Sequence, residues 1–137
     1  FVTRKICKAA AKIAHGSKEK LVLGNLNVKR DWGWAPEYVD AMWRMLQQKE
    51  PEDFVIATGY LSGLDEFVKN AFNSLNLNWE DHVIQNKGLL RPSEINAGFG
   101  CPKKALDKLS WKAKTLAPEI ASIMTNNEIE ILKRNNL

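Results

Sequence analysis

Phe54, Val55, Ile56, Ala57 and Thr58 form a run without polar alternation, directly after the break Pro51-Glu52-Asp53. A half-exposed strand alternates with period two, so a run that does not alternate predicts a strand covered on both faces. This is the most demanding stretch of the chain, because such a strand needs partners along its edges and apolar layers above and below it. The other strand candidates, Leu21-Val22-Leu23 and Val83-Ile84, are short, and the remaining periodic segments read as helix. The expected fold is mixed α/β, mostly helical with a few short strands, in a single domain over residues 1–137. If residues 54–58 lack their sheet, their open edges invite pairing with a second copy, so a homo-oligomer is expected.

The helical periodicities are distinct. Val2, Ile6, Ala9, Ala10 and Ile13 recur at three- and four-residue steps up to Gly16, with Lys5, Lys8 and Lys12 as a basic stripe on another side. Most such stripes are solvated faces. Pro36 and Glu37 suit a first helical turn, and Val39, Met42, Trp43 and Leu46 follow at the spacing of a buried face. Ser62 and Asp65 have the spacing of a cap and its reciprocal partner ahead of Leu64, Phe67, Val68, Ala71, Phe72 and Leu75. Between 76 and 100 the pattern loosens, with Trp79-Glu80-Asp81-His82 and Val83-Ile84 as its ordered pieces. A short helix is expected over 102–109 with Leu106 and Leu109 facing inward and Trp111 sealing its end. A last helix, capped by Thr115, carries Leu116, Ile120, Ile123 and Met124, with Thr125-Asn126-Asn127 as an interruption and a frayed end after Lys133.

Composition excludes several classes. Hydrophobic residues make up 45% and charged residues 26% of the 137, an ordinary globular balance. A net charge of +4 suits an anionic partner without requiring nucleic acid. Cys7, Cys101, His15 and His82 show no metal-ligand spacing, so the expectation is no metal and a reduced, cytoplasmic setting. His82 has no nucleophile or orienting acid beside it in the sequence, which argues against a catalytic role. No apolar run approaches the ~20 residues of a membrane span. The chain opens on Phe1 instead of methionine, which leads us to expect a fragment or a processed chain.

Three loops carry chemistry. Leu23-Gly24-Asn25-Leu26 and Arg30-Asp31-Trp32-Gly33 place a fixed cation, an acid, a ring and two glycines beside a short apolar strand, and Arg91-Pro92-Ser93-Glu94 offers a second arginine with a carboxylate three residues away. A guanidinium fits phosphate oxygens two at a time, and a carboxylate can accept from a ribose diol. The alternative for each is structural: an Arg30–Asp31 surface pair at a turn, and an Arg91–Glu94 ion pair worth under ~1 kcal/mol.

Taken with Phe1-Val2-Thr3-Arg4-Lys5-Ile6 and Pro51-Glu52-Asp53-Phe54-Val55-Ile56-Ala57-Thr58-Gly59, these motifs stand in one order and at compatible spacing. From Phe1 to about Trp111 the chain closely resembles the C-terminal, substrate-binding part of the GDP-mannose 4,6-dehydratases, extended short-chain dehydrogenase/reductases. The resemblance implies that Val2 meets the nucleotide sugar through its backbone and Lys5 through its ammonium group. Leu23, Gly24 and Asn25 would lie near the guanine, Arg30 and Arg91 on the pyrophosphate, and Glu94 on the ribose. It also implies that residues 54–58 add to the sheet of a nucleotide-binding domain. Trp34 replaces a smaller or polar residue of the pattern, and Cys101 stands where Gly-Asp is usual, which removes a capping carboxylate worth ~1 kcal/mol.

A dehydratase of this kind needs a glycine-rich turn for NADP and a Tyr-x-x-x-Lys pair. Here Tyr38 is followed four residues on by Met42, Tyr60 by Leu64, and no three glycines have the dinucleotide spacing. The N-terminal Rossmann domain is missing, so the resemblance implies a chain with no catalytic residue and no cofactor of its own. Its ligand would be GDP-mannose or GDP, with no nucleic-acid or membrane partner. In the parent lyase, NADP oxidises the sugar at C4, water leaves across C5 and C6, and the hydride returns to C6. Other readings are the corresponding portion of another nucleotide-sugar epimerase or reductase, or a stand-alone oligomeric interaction module that has lost its ligand.

Overall fold

The computed structural model describes residues 1–89, 95 and 97–135. Among them are five α-helices, α1 (Val2–Ala14), α2 (Ala35–Leu46), α3 (Leu64–Asn73), α4 (Lys103–Leu109) and α5 (Ala117–Asn135). Five short strands accompany them: β1 (Leu21–Leu23), β2 (Lys29–Arg30), β3 (Ser62–Gly63), β4 (Val83–Gln85) and β5 (Ala97–Gly98). Strands β1 and β4 form a parallel pair, while β2 lies between β3, antiparallel, and β5, parallel. No helix among the described residues is long and apolar enough to cross a membrane. The mixed, mostly helical architecture agrees with the sequence reading.

The main core is a three-helix arrangement in which α1, α3 and α5 all pack on one another. Its contact surfaces follow the helical period: Ile6, Cys7, Ala10, Ala11 and Ile13 on α1, and Leu64, Phe67, Val68, Ala71 and Phe72 on α3. Ala10, Ala11, Ala117 and Ala121 are fully buried, and their small side chains let α1 and α5 approach closely. Trp32 covers Phe67 at a centroid distance of 5.3 Å, and the ring of His82 stacks on Phe72 at 5.9 Å, which gives His82 a packing role. Burial pushes the thiol of Cys7 above its ordinary pKa and so keeps it neutral; Cys101 is exposed, and both are free.

Helix α5 runs without the expected interruption. Thr125 is fully buried and its hydroxyl donates to the Ala121 carbonyl at 2.7 Å, so the polar group is satisfied inside its own helix. One turn later Glu128, 7% exposed, meets Arg4 of α1 at 3.2 Å. The Thr115 hydroxyl goes to Glu37 instead of to a helix end.

A second, smaller cluster joins α2 and α4. Ala41, Ala105, Leu109, Trp111 and Ala113 form its buried part, with Tyr38, Met45, Phe54 and Ile56 packed against it. Here the sequence reading needs three corrections. The face Val39, Met42, Trp43 and Leu46 is the outward face of α2, each residue more than half exposed; the helix buries Ala41 instead. On α4, Leu109 is buried as expected but Leu106 is half exposed, because Ala105 takes the inward position. Residues 54–58 are not a covered strand. The backbone groups of Phe54, Val55, Ile56 and Ala57 have no backbone hydrogen-bond partner among the described residues, and Val55 is 55% exposed.

The start of α3 also differs. Its N-cap is Gly63, without a side-chain cap bond. Ser62 sits in β3 opposite Arg30 and donates to Glu66 at 2.5 Å, where the tyrosine hydroxyl of Tyr60 donates as well.

Candidate functional site

Strand β1 delivers the first loop. Leu21 and Leu23 are buried on one side, and the strand pairs in register with β4, Leu21 opposite Val83 and Leu23 opposite Gln85. The Leu23 carbonyl accepts from the amide of Asn86 at 2.8 Å, so both its side chain and its oxygen are engaged and its contribution is to hold the next residue. At Gly24 a Cβ would stand 2.9 Å from the carbonyl oxygen of Leu89; only glycine allows the 86–89 turn this close. Asn25 accepts from the amide of Asn27 at 2.9 Å in an Asx turn, and the buried Leu26 and Val28 then return the chain to the core. Gly24 and Asn25 remain half-buried, at the surface of this corner.

Helix α1 contributes its first turns. Val2 is 38% exposed, and the ammonium group of Lys5 donates to the Val22 carbonyl at 2.6 Å, tying α1 to β1 beside the loop.

Arg30 ends β2 and its Nη1 donates to the carbonyls of Lys29 at 2.9 Å and Ile95 at 2.6 Å. The next residue fixes the loop behind it. Oδ1 of Asp31 accepts from the amide of Thr58 at 2.9 Å and from its hydroxyl at 2.6 Å, and Oδ2 from the amide of Gly59 at 2.9 Å. A carboxylate with three donors across 27 residues is a clamp, not the surface ion pair that the sequence alone allowed. The only local signal for it was the neighbour Arg30; Thr58 and Gly59 are too distant in sequence to be read as its partners. Gly33 leaves room for the ring of Tyr38, since a Cβ there would fall 2.1 Å from it.

Lys5 thus sits beside the β1 loop that carries Leu23, Gly24 and Asn25, with Leu23 buried beneath it and Val2 three residues earlier on α1, while Arg30 stands on the separate β2 sheet. Arg91 and Glu94 lie outside the described residues. Of the described residues nearest to them, Leu89 lies against Gly24 and the Ile95 carbonyl accepts from Arg30.

A second acid organises the first turn of α2. Glu37 accepts from the amides of Lys114 at 2.9 Å and Thr115 at 3.2 Å and from the Thr115 hydroxyl at 2.8 Å, while Trp111 donates its indole N–H to the Glu37 carbonyl. Burial pushes the Glu37 carboxyl up, but these donors outweigh it and hold it below the usual carboxylate range.

What the surface can do is bind. Lysine and arginine side chains beside a glycine turn offer fixed charge and close backbone approach to an anion. Among the described residues no group of three potential ligands could hold a metal. Among α1 to α4 only α3 has a glycine at its N-cap, Gly63, and the carboxylate of Asp65 lies against it.

The profile of the GDP-mannose 4,6 dehydratase family matches residues 1–124. The chain is 42% identical over 137 residues to GDP-mannose 4,6 dehydratase 1 of Arabidopsis thaliana, covering all of this chain and 38% of that one. It is 40% identical over 152 residues to the GDP-mannose 4,6 dehydratase of Homo sapiens, covering 98% and 41%. The chain therefore spans about two fifths of the length of these curated relatives. By structure it is similar to RMD from Pseudomonas aeruginosa, solved with NADPH, with a TM-score of 0.85 at 16% identity over 96% of this chain and 43% of that one. A UDP-glucose 4-epimerase from Bifidobacterium longum, solved with NAD+ and UDP, gives a TM-score of 0.72 at 16% identity over 96% and 41%. At these identities the structural likeness shows the fold, that of the C-terminal part of an extended short-chain dehydrogenase/reductase.

Proposed function

The chain belongs to the GDP-mannose 4,6-dehydratase family, and from that premise we propose that it is the part of such an enzyme that binds and orients the GDP end of GDP-mannose. The whole enzyme would be a lyase that converts GDP-mannose to GDP-4-keto-6-deoxymannose with NADP. The cofactor and the reacting groups would belong to the share of the relatives' length that these residues do not span. The observation that carries this reading is the fixing of its cations beside close-approach backbone: Lys5 is tied to β1 next to the Gly24–Asn25 turn, and Arg30 is held by its backbone acceptors with the Asp31 clamp behind it. Val2, Leu23, Arg91 and Glu94 complete the proposed binding set. On its own the chain would bind without turnover, because it has no Tyr-x-x-x-Lys pair and no cradle for the cofactor.

The outward face of α2 and the unpaired backbone of residues 54–57 support the same reading, because both are surfaces that a further layer of protein would complete. We assign that layer to the cofactor-binding part. A second copy of the chain is the competing occupant, and it predicts concentration-dependent dimerisation in light scattering. The setting is a reduced cytoplasm, where the two thiols stay free.

The test is a titration of GDP-mannose into isotope-labelled protein, with UDP-glucose and ADP-ribose as controls. Saturable amide shifts around Lys5, Gly24 and Arg30 are expected for GDP-mannose, with binding as weak as millimolar for half a site. An Arg30→Ala variant should lose them. Equal or larger shifts with UDP-glucose would point to another nucleotide-sugar enzyme, and a folded sample without any shifts would leave an interaction module as the better reading.

A further inference from the structure

We propose that the groove between α1 and β1 is a second anion site, adjoining the proposed GDP-sugar surface through Lys5 and distinguished from it by Lys8 and Lys12, which takes a small molecule carrying two or more phosphates. The groove has a volume of about 340 Å³, within the range of ~300–1,000 Å³ typical of small-molecule pockets. Ala9, Ile13, Leu21 and Val22 form its apolar floor, and Lys5, Lys8, Lys12 and Lys20 stand along it with Glu19 as the one carboxylate in the lining. Four cations against one anion give a formal +3 here, in a chain whose total is +4.

What sets these lysines apart is that four of them share one groove. On α4 each lysine has a carboxylate: Lys103 meets Asp107 at 2.5 Å, and Lys104 and Lys108 meet Glu52 at 2.9 and 2.5 Å. In the groove Lys5 and Lys20 donate to backbone carbonyls, those of Val22 and Asp81. Lys8 and Lys12 have no hydrogen bond or ion pair with any described residue. Like charges brought together without counter-charge cost free energy, and a bound polyanion relieves that cost.

The size of the array selects the ligand class. From Lys5 to Lys12 the helix advances about 10 Å, two turns at ~1.5 Å per residue, which is the reach of a short phosphate chain or a bisphosphorylated sugar. A nucleic-acid backbone would need cations continuing beyond the groove, and the α4 lysines are already paired. The Ser17 hydroxyl, on the lining, accepts from the Glu19 amide at 3.2 Å and keeps its own proton to donate to a phosphate oxygen.

The probe is inorganic tripolyphosphate titrated into the labelled chain, with the Lys8→Gln/Lys12→Gln double variant and the Lys103→Gln/Lys104→Gln variant as its comparison. Saturable shifts confined to residues 5–22, weakened at least tenfold by the first variant and unchanged by the second, are expected. The first variant should bind GDP-mannose as before, so that failure here and failure of the GDP-sugar reading are separable. Shifts spread over all lysine-rich surfaces, shifts centred on Arg30, or a response to an RNA oligonucleotide but not to tripolyphosphate would each overturn the proposal.

Discussion

The two apolar clusters of the molecule use the same helical spacing and end in opposite conditions. In the larger one, α1, α3 and α5 cover most of one another's apolar faces, down to fully buried Phe67 and Phe72, with Val2 and Ile123 left exposed. In the smaller one, α2 and α4 meet through Ala41 and Ala105, small residues, while Val39, Met42, Trp43 and Leu46 point outward. An amphipathic period therefore identifies a face that requires cover, and it does not say whether the same chain supplies it. The first cluster explains why these residues fold, and the second leaves an apolar helix face exposed.

The contrast can be broken first in the main core. Phe67→Ala should destabilise by about 3–5 kcal/mol, enough to unfold much of the population, read as a shift of the urea midpoint. Next, Asp31→Ala removes three hydrogen bonds between the Arg30 loop and residues 58–59, and about 2 kcal/mol is expected from the loss of charge-assisted bonds. It should also weaken GDP-mannose binding if Arg30 acts as proposed, whereas Phe67→Ala at temperatures where the chain stays folded should not.

A smaller effect is expected at the clasp between α2 and residues 114–115. The native carboxyl of Glu37 lies below its ordinary value of 4.5, so its contribution is complete above that pH and is lost as pH falls through the lower native value. Glu37→Gln should cost about 1 kcal/mol at neutral pH, and it should flatten the acid limb of the stability curve, checked by urea midpoints from pH 7 downward. The smallest effect belongs to the open face. Trp43→Ala should change stability by no more than ~0.5 kcal/mol, although the same substitution in a covered helix face would cost several times that. A large loss would mean that a second copy covers the face in solution.

These differences follow what was legible in the sequence. The faces of α1 and α3 were readable because their partners are in the chain and their periods are strong. The α2 face was misread for the reason just given, and residues 54–58 were read as a covered strand because apolar content speaks of burial without naming the neighbour. Thr125 looked like a helix breaker, yet its hydroxyl is satisfied by the Ala121 carbonyl four residues earlier. Of the candidate site, Lys5, Gly24 and Arg30 were visible as residue types in motifs. The roles of Asp31 and Glu37 were not, since their partners lie 27 and 77–78 residues away and only the fold brings them together.

The most direct measurement is native-state hydrogen exchange at the amides of Val55, Ile56 and Ala57. It should be made on the dilute chain alone and on the chain joined to the N-terminal portion of a GDP-mannose 4,6-dehydratase. The expected result is fast exchange in the chain alone, against slow exchange at Phe67 and Phe72, and strong protection of 55–57 once the other portion is present. Protection of 55–57 equal to that of Phe67 in the isolated chain, or no gain on joining, would contradict the view that this half of the molecule is completed by a cofactor-binding part.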